Sequence, residues 1–145
     1  MKNIEIIITK EDVAEFNRLY FDEHPRARNP LIKAPFHPSL NEYMNLHYKS
    51  LNRTKQNWKD FIIYILKKRN LAGMHIEKCR ITYRTFFKQN RRHDLDNITP
   101  KFIFDGFVEA DFIVDDDLKH IVSLTTEGGI DKNNPRIEFI VEILE

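Results

Sequence analysis

The sequence predicts one α+β domain, a small mixed β-sheet with helices packed on one of its faces. Apolar residues alternate with charged ones over His75 to Phe87 and again over Arg136 to Ile143, which is the period of a half-buried strand. Apolar residues recur instead at helical spacing between Leu51 and Leu66 and around Phe102 to Phe107. The 145 residues give room for one hydrophobic core and too little for two. The coarse order reads strand, helix, strand, helix, strand, strand, which is an α+β pattern.

Taken in order, Ile4 to Ile8 is a short apolar run and reads as the first strand. Thr9 is placed to cap a following helix, with Asp12 at the third position after it in place of the usual Glu or Gln. Val13, Phe16 and Leu19 give that helix a modest apolar face. Pro25, Pro30, Pro35 and Pro38 then break any long element between His24 and Pro38, so the segment should be irregular, packed on the core or ordered by a partner. A second helix is expected from about Ser39 or Leu51 to Lys68. Leu51, Trp58, Phe61, Ile62, Ile65 and Leu66 form its apolar stripe, and its other face is basic.

After a turn over Asn70 to Gly73, His75 to Phe87 reads as a strand. Cys79, Ile81, Tyr83 and Phe87 lie on one face, with Lys78, Arg80 and Arg84 on the other. That places Cys79 as a small core residue rather than a nucleophile. Thr99 caps and Pro100 opens a short helix reaching about Val108, packed through Phe102, Ile103 and Phe107. Val122 and Leu124 mark a strand beginning near Leu118. A turn holding Gly128-Gly129 and Asn133-Asn134-Pro135 leads to the last strand, where Ile137, Phe139, Val141 and Ile143 oppose Arg136, Glu138 and Glu142.

Composition narrows the class. Hydrophobic residues are 41% and charged residues 31%, and 23 Lys and Arg against 22 Asp and Glu leave a net charge of +1. That excludes a disordered chain and excludes nucleic-acid binding by net charge alone. The single cysteine cannot form an intrachain disulfide, as suits a reducing compartment. No apolar run approaches the roughly 20 residues of a membrane span. The opening MKNIEIIITKED meets acidic residues too early for a signal peptide. The expectation is a soluble cytoplasmic protein with no membrane partner.

The charge is strongly segregated. Lys49 to Arg69 carries seven bases against Asp60, and Lys78 to Arg92 carries six bases and no acid. Asp94 to Asp117 then carries eight acids against Lys101. Two readings fit. In one, the blocks are solvated surface paired across the fold; in the other, a polyanion footprint surrounds a carboxylate cluster that binds cations.

Within RRHDLDNITPKFIFDGFVEADFIVDDD, an extended backbone would point Asp94 and Asp96 to the same side. The helix that follows would return the chain so that Asp115, Asp116 and Asp117 meet them at the sheet edge. Clustered carboxylates repel unless protonated or bridged, and hard divalent cations favour such oxygen ligands, so Mg²⁺ is the expected ion. The same acids also suit backbone capping, with Asn97 assisting, and a solvated turn at Asp115 to Asp117. Lys101 and Asp105, four apart, share a helix face, either as a surface ion pair or with Lys101 against a phosphate and Asp105 orienting it. His93 reads as a phosphate contact or structural residue rather than a general base. No zinc, phosphate-loop or serine-nucleophile motif is present.

Asp94-Leu95-Asp96-Asn97, Lys101, Asp105 and Asp115-Asp116 together resemble the RusA family of Holliday-junction resolvases, found in bacteria, phages and prophages. His37-Pro38-Ser39-Leu40-Asn41-Glu42-Tyr43 is similar to an early Pro-Ser-x-Asn-x-Tyr segment of that family, and the match spans Pro38 to Glu145 plus the first strand. The resemblance implies a RusA-like fold and a homodimer making paired, Mg²⁺-dependent cuts in four-way DNA, with 5′-phosphate and 3′-hydroxyl ends. It assigns Asp94, Asp96 and Asp116 as essential metal-binding acids, Asp115 beside them, and Lys101 as the catalytic lysine. One or two ions are implied, with Mn²⁺ a substitute. Asp105 and Asn97 would support them. Lys78, Arg80, Arg84, Lys88, Arg91, Arg92 and His93 would face DNA, Arg91 and Arg92 by resemblance and the others from the basic pattern.

Two features depart from the family pattern. Lys101 lies five residues after Asp96 rather than four, as a local insertion at Thr99-Pro100 would produce, and the proline-containing stretch over residues 9–37 is divergent. A noncatalytic branched-DNA-binding protein and a nuclease preferring forks or flaps are the alternative expectations.

Overall fold

The computed structural model describes residues 2–145. Strand β1 (Lys2–Thr9) leads directly into helix α1 (Lys10–Glu23), and after an irregular segment come α2 (Leu40–Met44) and the long α3 (Tyr48–Lys68). Strand β2 (Cys79–Phe87), a 3₁₀ turn (Leu95–Asn97), α4 (Lys101–Glu109), β3 (Ile121–Ile130) and β4 (Arg136–Ile143) complete the order. The fold is α+β. Its four-stranded sheet has the order β1-β4-β2-β3, antiparallel except for the parallel β2–β3 pair joined through α4. Among the described residues, no helix is long and apolar enough to cross a membrane.

The strand periodicity holds and decides the layering. Ile4, Ile6 and Ile8 of β1, Ile81 and Tyr83 of β2, and Ile137, Phe139 and Val141 of β4 are buried on one face. They share a core with Phe61, Ile62, Ile65 and Leu66 of α3 and Phe102, Ile103 and Phe107 of α4. Cys79 is buried there, its thiol pushed up to about 11 by burial, as a core residue should be. The opposite face carries cross-strand ion pairs, Arg80 with Glu142 at 3.9 Å and Arg84 with Glu127 at 2.7 Å and Glu138 at 3.8 Å, and within β4 the pair Arg136 with Glu138 at 2.6 Å. Helix α4 lies close against α3 at Gly106, where a methyl group would come within 2.8 Å of the Ile62 side chain.

Thr9 and Asp12 form the expected cap, the Asp12 carboxylate accepting the Thr9 N–H at 2.9 Å. Arg69, from the end of α3, donates to the same carboxylate at 2.9 Å. The proline-containing segment has no regular element but is tied down. The Asn17 side chain donates to the Ile32 carbonyl at 2.7 Å and accepts from the N–H groups of Leu31 and Ile32.

Five boundaries differ from expectation. The second helix is two: Ser39 caps α2, and α3 begins at Tyr48 behind His47. The strand expected from His75 begins at Cys79, because His75 takes a left-handed conformation (φ 55°) and joins Asp111 at 2.8 Å. Pro100 is the cap of α4 rather than its first residue. Strand β3 starts at Ile121 rather than Leu118, since Asp117 accepts the Lys119 and His120 N–H groups and holds a turn there. Gly128 and Gly129 lie inside β3, paired with Thr85 and Phe86, and the turn follows them.

Candidate functional site

Helix α4 separates the two acidic groups. Its nine residues rise about 13 Å, with Asp94 and Asp96 before it and Asp115 to Asp117 after it. Asp94 precedes the 3₁₀ turn and Asp96 sits inside it. The backbone is extended at Asp94 but turns over Leu95–Asn97, so the continuous extended run on which same-side geometry rests is absent. Asp94 pairs with Arg92 at 3.1 Å. Asn97 does not cap this turn. Its side-chain oxygen accepts the Asn41 N–H at 2.9 Å and ties the turn to α2.

On the far side, the Asp116 N–H donates to Asp115 at 2.7 Å. The Asp116 carboxyl is held above the ordinary carboxylate range, first by partial burial, then by Asp115 and by the charge of Asp105. Asp116 has an exposed surface overall, so the desolvation reflects crowding on one side of the group. Asp116 therefore feels both its neighbour Asp115 and Asp105 on α4. Among the described residues, no three His, Cys, Asp or Glu side chains are grouped closely enough to hold a metal ion as they stand. The donor set is all carboxylate oxygen, which suits a hard divalent cation.

Lys101 and Asp105 do not pair. Asp105 turns to Lys55 of α3 at 3.9 Å, and Glu109 to Lys59 at 3.1 Å. Lys101, exposed at the start of α4, makes no ion pair among the described residues. The start of α4 is held by a residue with no sequence signal for this role. His37, buried among Trp58, Tyr43 and Phe102, accepts the Phe102 N–H through Nε2 at 2.9 Å. Burial pushes its imidazole down to about 4, against a weaker upward pull from the Pro38 carbonyl.

Six of the seven residues expected to face DNA divide between two surfaces. Lys88, Arg91, Arg92 and His93 line a cleft of about 660 Å³ beyond the end of β2, together with Asp94 and Asn97. Arg80 and Arg84 point to the open face of the sheet and are matched by glutamates. Lys78 precedes β2, where its carbonyl accepts the Leu144 N–H at 2.8 Å.

No protein-family model matches the chain, and no curated protein matches it in sequence. The cleft and the acidic groups beside α4 make the site one where cationic side chains and carboxylates occupy adjoining surfaces. Cationic side chains of this kind favour anions, and carboxylate oxygens suit a hard cation.

Proposed function

We propose that the protein is a Mg²⁺-dependent endodeoxyribonuclease, a homodimer that resolves four-way DNA junctions by paired phosphodiester hydrolysis. The observation that carries this reading is the setting of Asp116, whose carboxyl is held up by partial burial, by the neighbouring Asp115 and by the charge of Asp105 on α4. Such repulsion is what a divalent cation relieves. The motif resemblance to RusA resolvases supplies the substrate and the paired cuts.

Asp94, Asp96 and Asp116, with Asp115, are the residues that would hold one or two Mg²⁺ ions, Mn²⁺ serving as a substitute. When bound, such ions activate water and stabilise phosphate charge. Asp105 supports the far acids. Lys101, which makes no ion pair among the described residues, would bring a positive charge to where negative charge develops on the phosphate. In the hydrolysis, the water oxygen bonds to phosphorus and the P–O3′ bond breaks. The water's proton passes to solvent and the 3′ oxygen takes one up, leaving 5′-phosphate and 3′-hydroxyl ends. Lys88, Arg91 and Arg92 position the strand by its backbone without reading sequence. A two-fold dimer duplicates the site for the second cut.

The test uses end-labelled four-way junction, fork, flap and duplex DNA with Mg²⁺ or EDTA, alongside an Asp96→Asn protein. Paired nicks in the junction, lost with EDTA and with D96N, are the expected result. Binding without cleavage identifies a noncatalytic branched-DNA binder, and cleavage mainly of forks or flaps reassigns the substrate.

A further inference from the structure

The cleft beyond β2 has a character that the carboxylates do not explain. Its volume of about 660 Å³ falls within the range of pockets that enclose a small organic ligand. One wall is aromatic. His93 lies flat on Phe87, with ring centroids 3.7 Å apart and planes 4° from parallel, and Phe36 packs against Phe87 at 5.4 Å. His93 is half-buried and lines the cleft, so a planar ring entering it extends an existing stack.

A second wall offers hydrogen bonds. Thr85 lines the cleft and is only 3% exposed; its hydroxyl makes no hydrogen bond of ordinary geometry, and the Tyr83 side chain, also on the cleft, is a polar neighbour that interacts with it. Buried hydroxyls are nearly always well paired, so the loosely held Thr85 and Tyr83 hydroxyls mark a position where a ligand's polar edge would be welcome. Asn97 also lines the cleft. Its oxygen is engaged by Asn41, which leaves its amide hydrogens for an acceptor.

The third feature is charge. Lys88 and Arg91 are exposed on the cleft and make no ion pair among the described residues, and Arg92 shares only the exposed Asp94. A bare phosphate has no use for the stacked rings. An aromatic peptide side chain has none for three cations. A flat ring with a polar edge and an attached anion satisfies all three walls.

The geometry points to a single unstacked nucleotide of a DNA strand as the occupant, its base against His93, its polar edge toward Thr85 and Asn97, and its phosphate at Arg91 and Lys88. This rests on the reading of the protein as a branched-DNA enzyme and adds how a branch is told from a duplex. A base at a strand exchange leaves its stack at lower cost than one inside a duplex, so a pocket that demands an extruded base favours branched DNA.

The test is a binding cycle in EDTA, where cleavage is blocked. Wild-type, His93→Ala, His93→Phe and Thr85→Val proteins are titrated with a four-way junction and with junctions carrying one abasic site, moved through the positions nearest the branch. At one position the abasic site should weaken wild-type binding about tenfold, the loss of one base–aromatic stack. His93→Ala should weaken binding to the intact junction by a similar factor and be indifferent to that abasic site, while His93→Phe retains most of the affinity. Thr85→Val, which keeps the shape and removes the hydroxyl, gives a second cycle that leaves the ring stack untouched and should show the same coupling. Losses that simply multiply at every position, in both cycles, overturn the pocket and leave the nuclease reading standing, since side chain and base then act independently. A wild-type protein that binds no branched DNA overturns both.

Discussion

The Nε2 atom of His37 accepts the backbone N–H of Phe102 at 2.9 Å, although the two residues are 65 apart in the chain. The first N–H groups of a helix have no partner within it, and the Pro100 cap of α4 offers no side-chain acceptor. A histidine from the proline-containing segment supplies one. The same contact fixes the start of the helix that carries Lys101 and Asp105.

An acceptor nitrogen must be unprotonated, so the contact depends on pH. His37 lies at about 4 in the fold against 6.5 in an unfolded chain. Above pH 6.5 neither state takes up its proton. As pH falls below that value the unfolded chain binds the proton first, and folding stability declines until pH passes about 4. The loss attributable to this group is on the order of 3 kcal/mol. Urea midpoints measured across the interval should fall, and His37→Gln should flatten the upper part of that decline, where few carboxylates titrate. A variant with the same slope as wild type removes His37 as its cause.

Gly106→Ala should destabilise the protein even though alanine favours a helix interior by about 1 kcal/mol. The added methyl would stand 2.8 Å from Ile62, and overpacking of this kind costs about 1–3 kcal/mol. A lowered thermal midpoint with an unchanged far-ultraviolet dichroism spectrum is the expected outcome. A raised midpoint means that α3 and α4 part without cost.

Lys101 and Asp116 should separate activity from stability. Lys101 is exposed and makes no ion pair among the described residues, so Lys101→Ala should change folding stability by no more than about 0.5 kcal/mol. The same change should lower the rate of junction cleavage about a hundredfold or more at saturating Mg²⁺. Asp116→Asn removes a carboxylate pressed by Asp115 and Asp105, so its midpoint should hold or rise while cleavage is lost. A large fall in stability for either variant assigns the residue a structural role.

The division of the basic residues between two surfaces predicts unequal salt effects. Arg91→Ala should reduce the slope of log affinity against log salt by about 1, the signature of one lost phosphate contact. Arg84→Ala should leave that slope unchanged, because Arg84 is matched by Glu127 and Glu138 on the open face. Equal changes for both place DNA across the sheet as well as the cleft.

The strands and the Thr9 cap were legible because each is decided by residues a few positions apart. Ile137, Phe139 and Val141 alternate, and Thr9 needs only Asp12. The site was less legible because long-range partners shape it. Asp94 and Asp96 read as extended neighbours, but a 3₁₀ turn, held by Asn97 to an N–H 56 residues away, interrupts the extended run at Leu95. Lys101 and Asp105 have ideal helical spacing, yet Lys55 from another helix takes the aspartate. Gly128 and Gly129 look like a turn, but Gly129 lies opposite Phe86, where a methyl group would come within 3.1 Å of the ring. Nothing local marks His37 as the acceptor for α4.

The strand order gives the protein an awkward order of assembly. β4 is the latest strand in the chain and yet lies between β1 and β2. Until it is synthesised, β1 has no neighbour in the sheet, and one side of β2 keeps its peptide groups unpaired. The nascent chain therefore carries Ile4, Ile6 and Ile8 on a strand with nothing beside it until residues 136–143 have been made. An open apolar strand of this kind is a template for pairing with other chains. Chaperone demand during synthesis, and loss to aggregates when β4 is truncated, follow directly from where that strand is inserted.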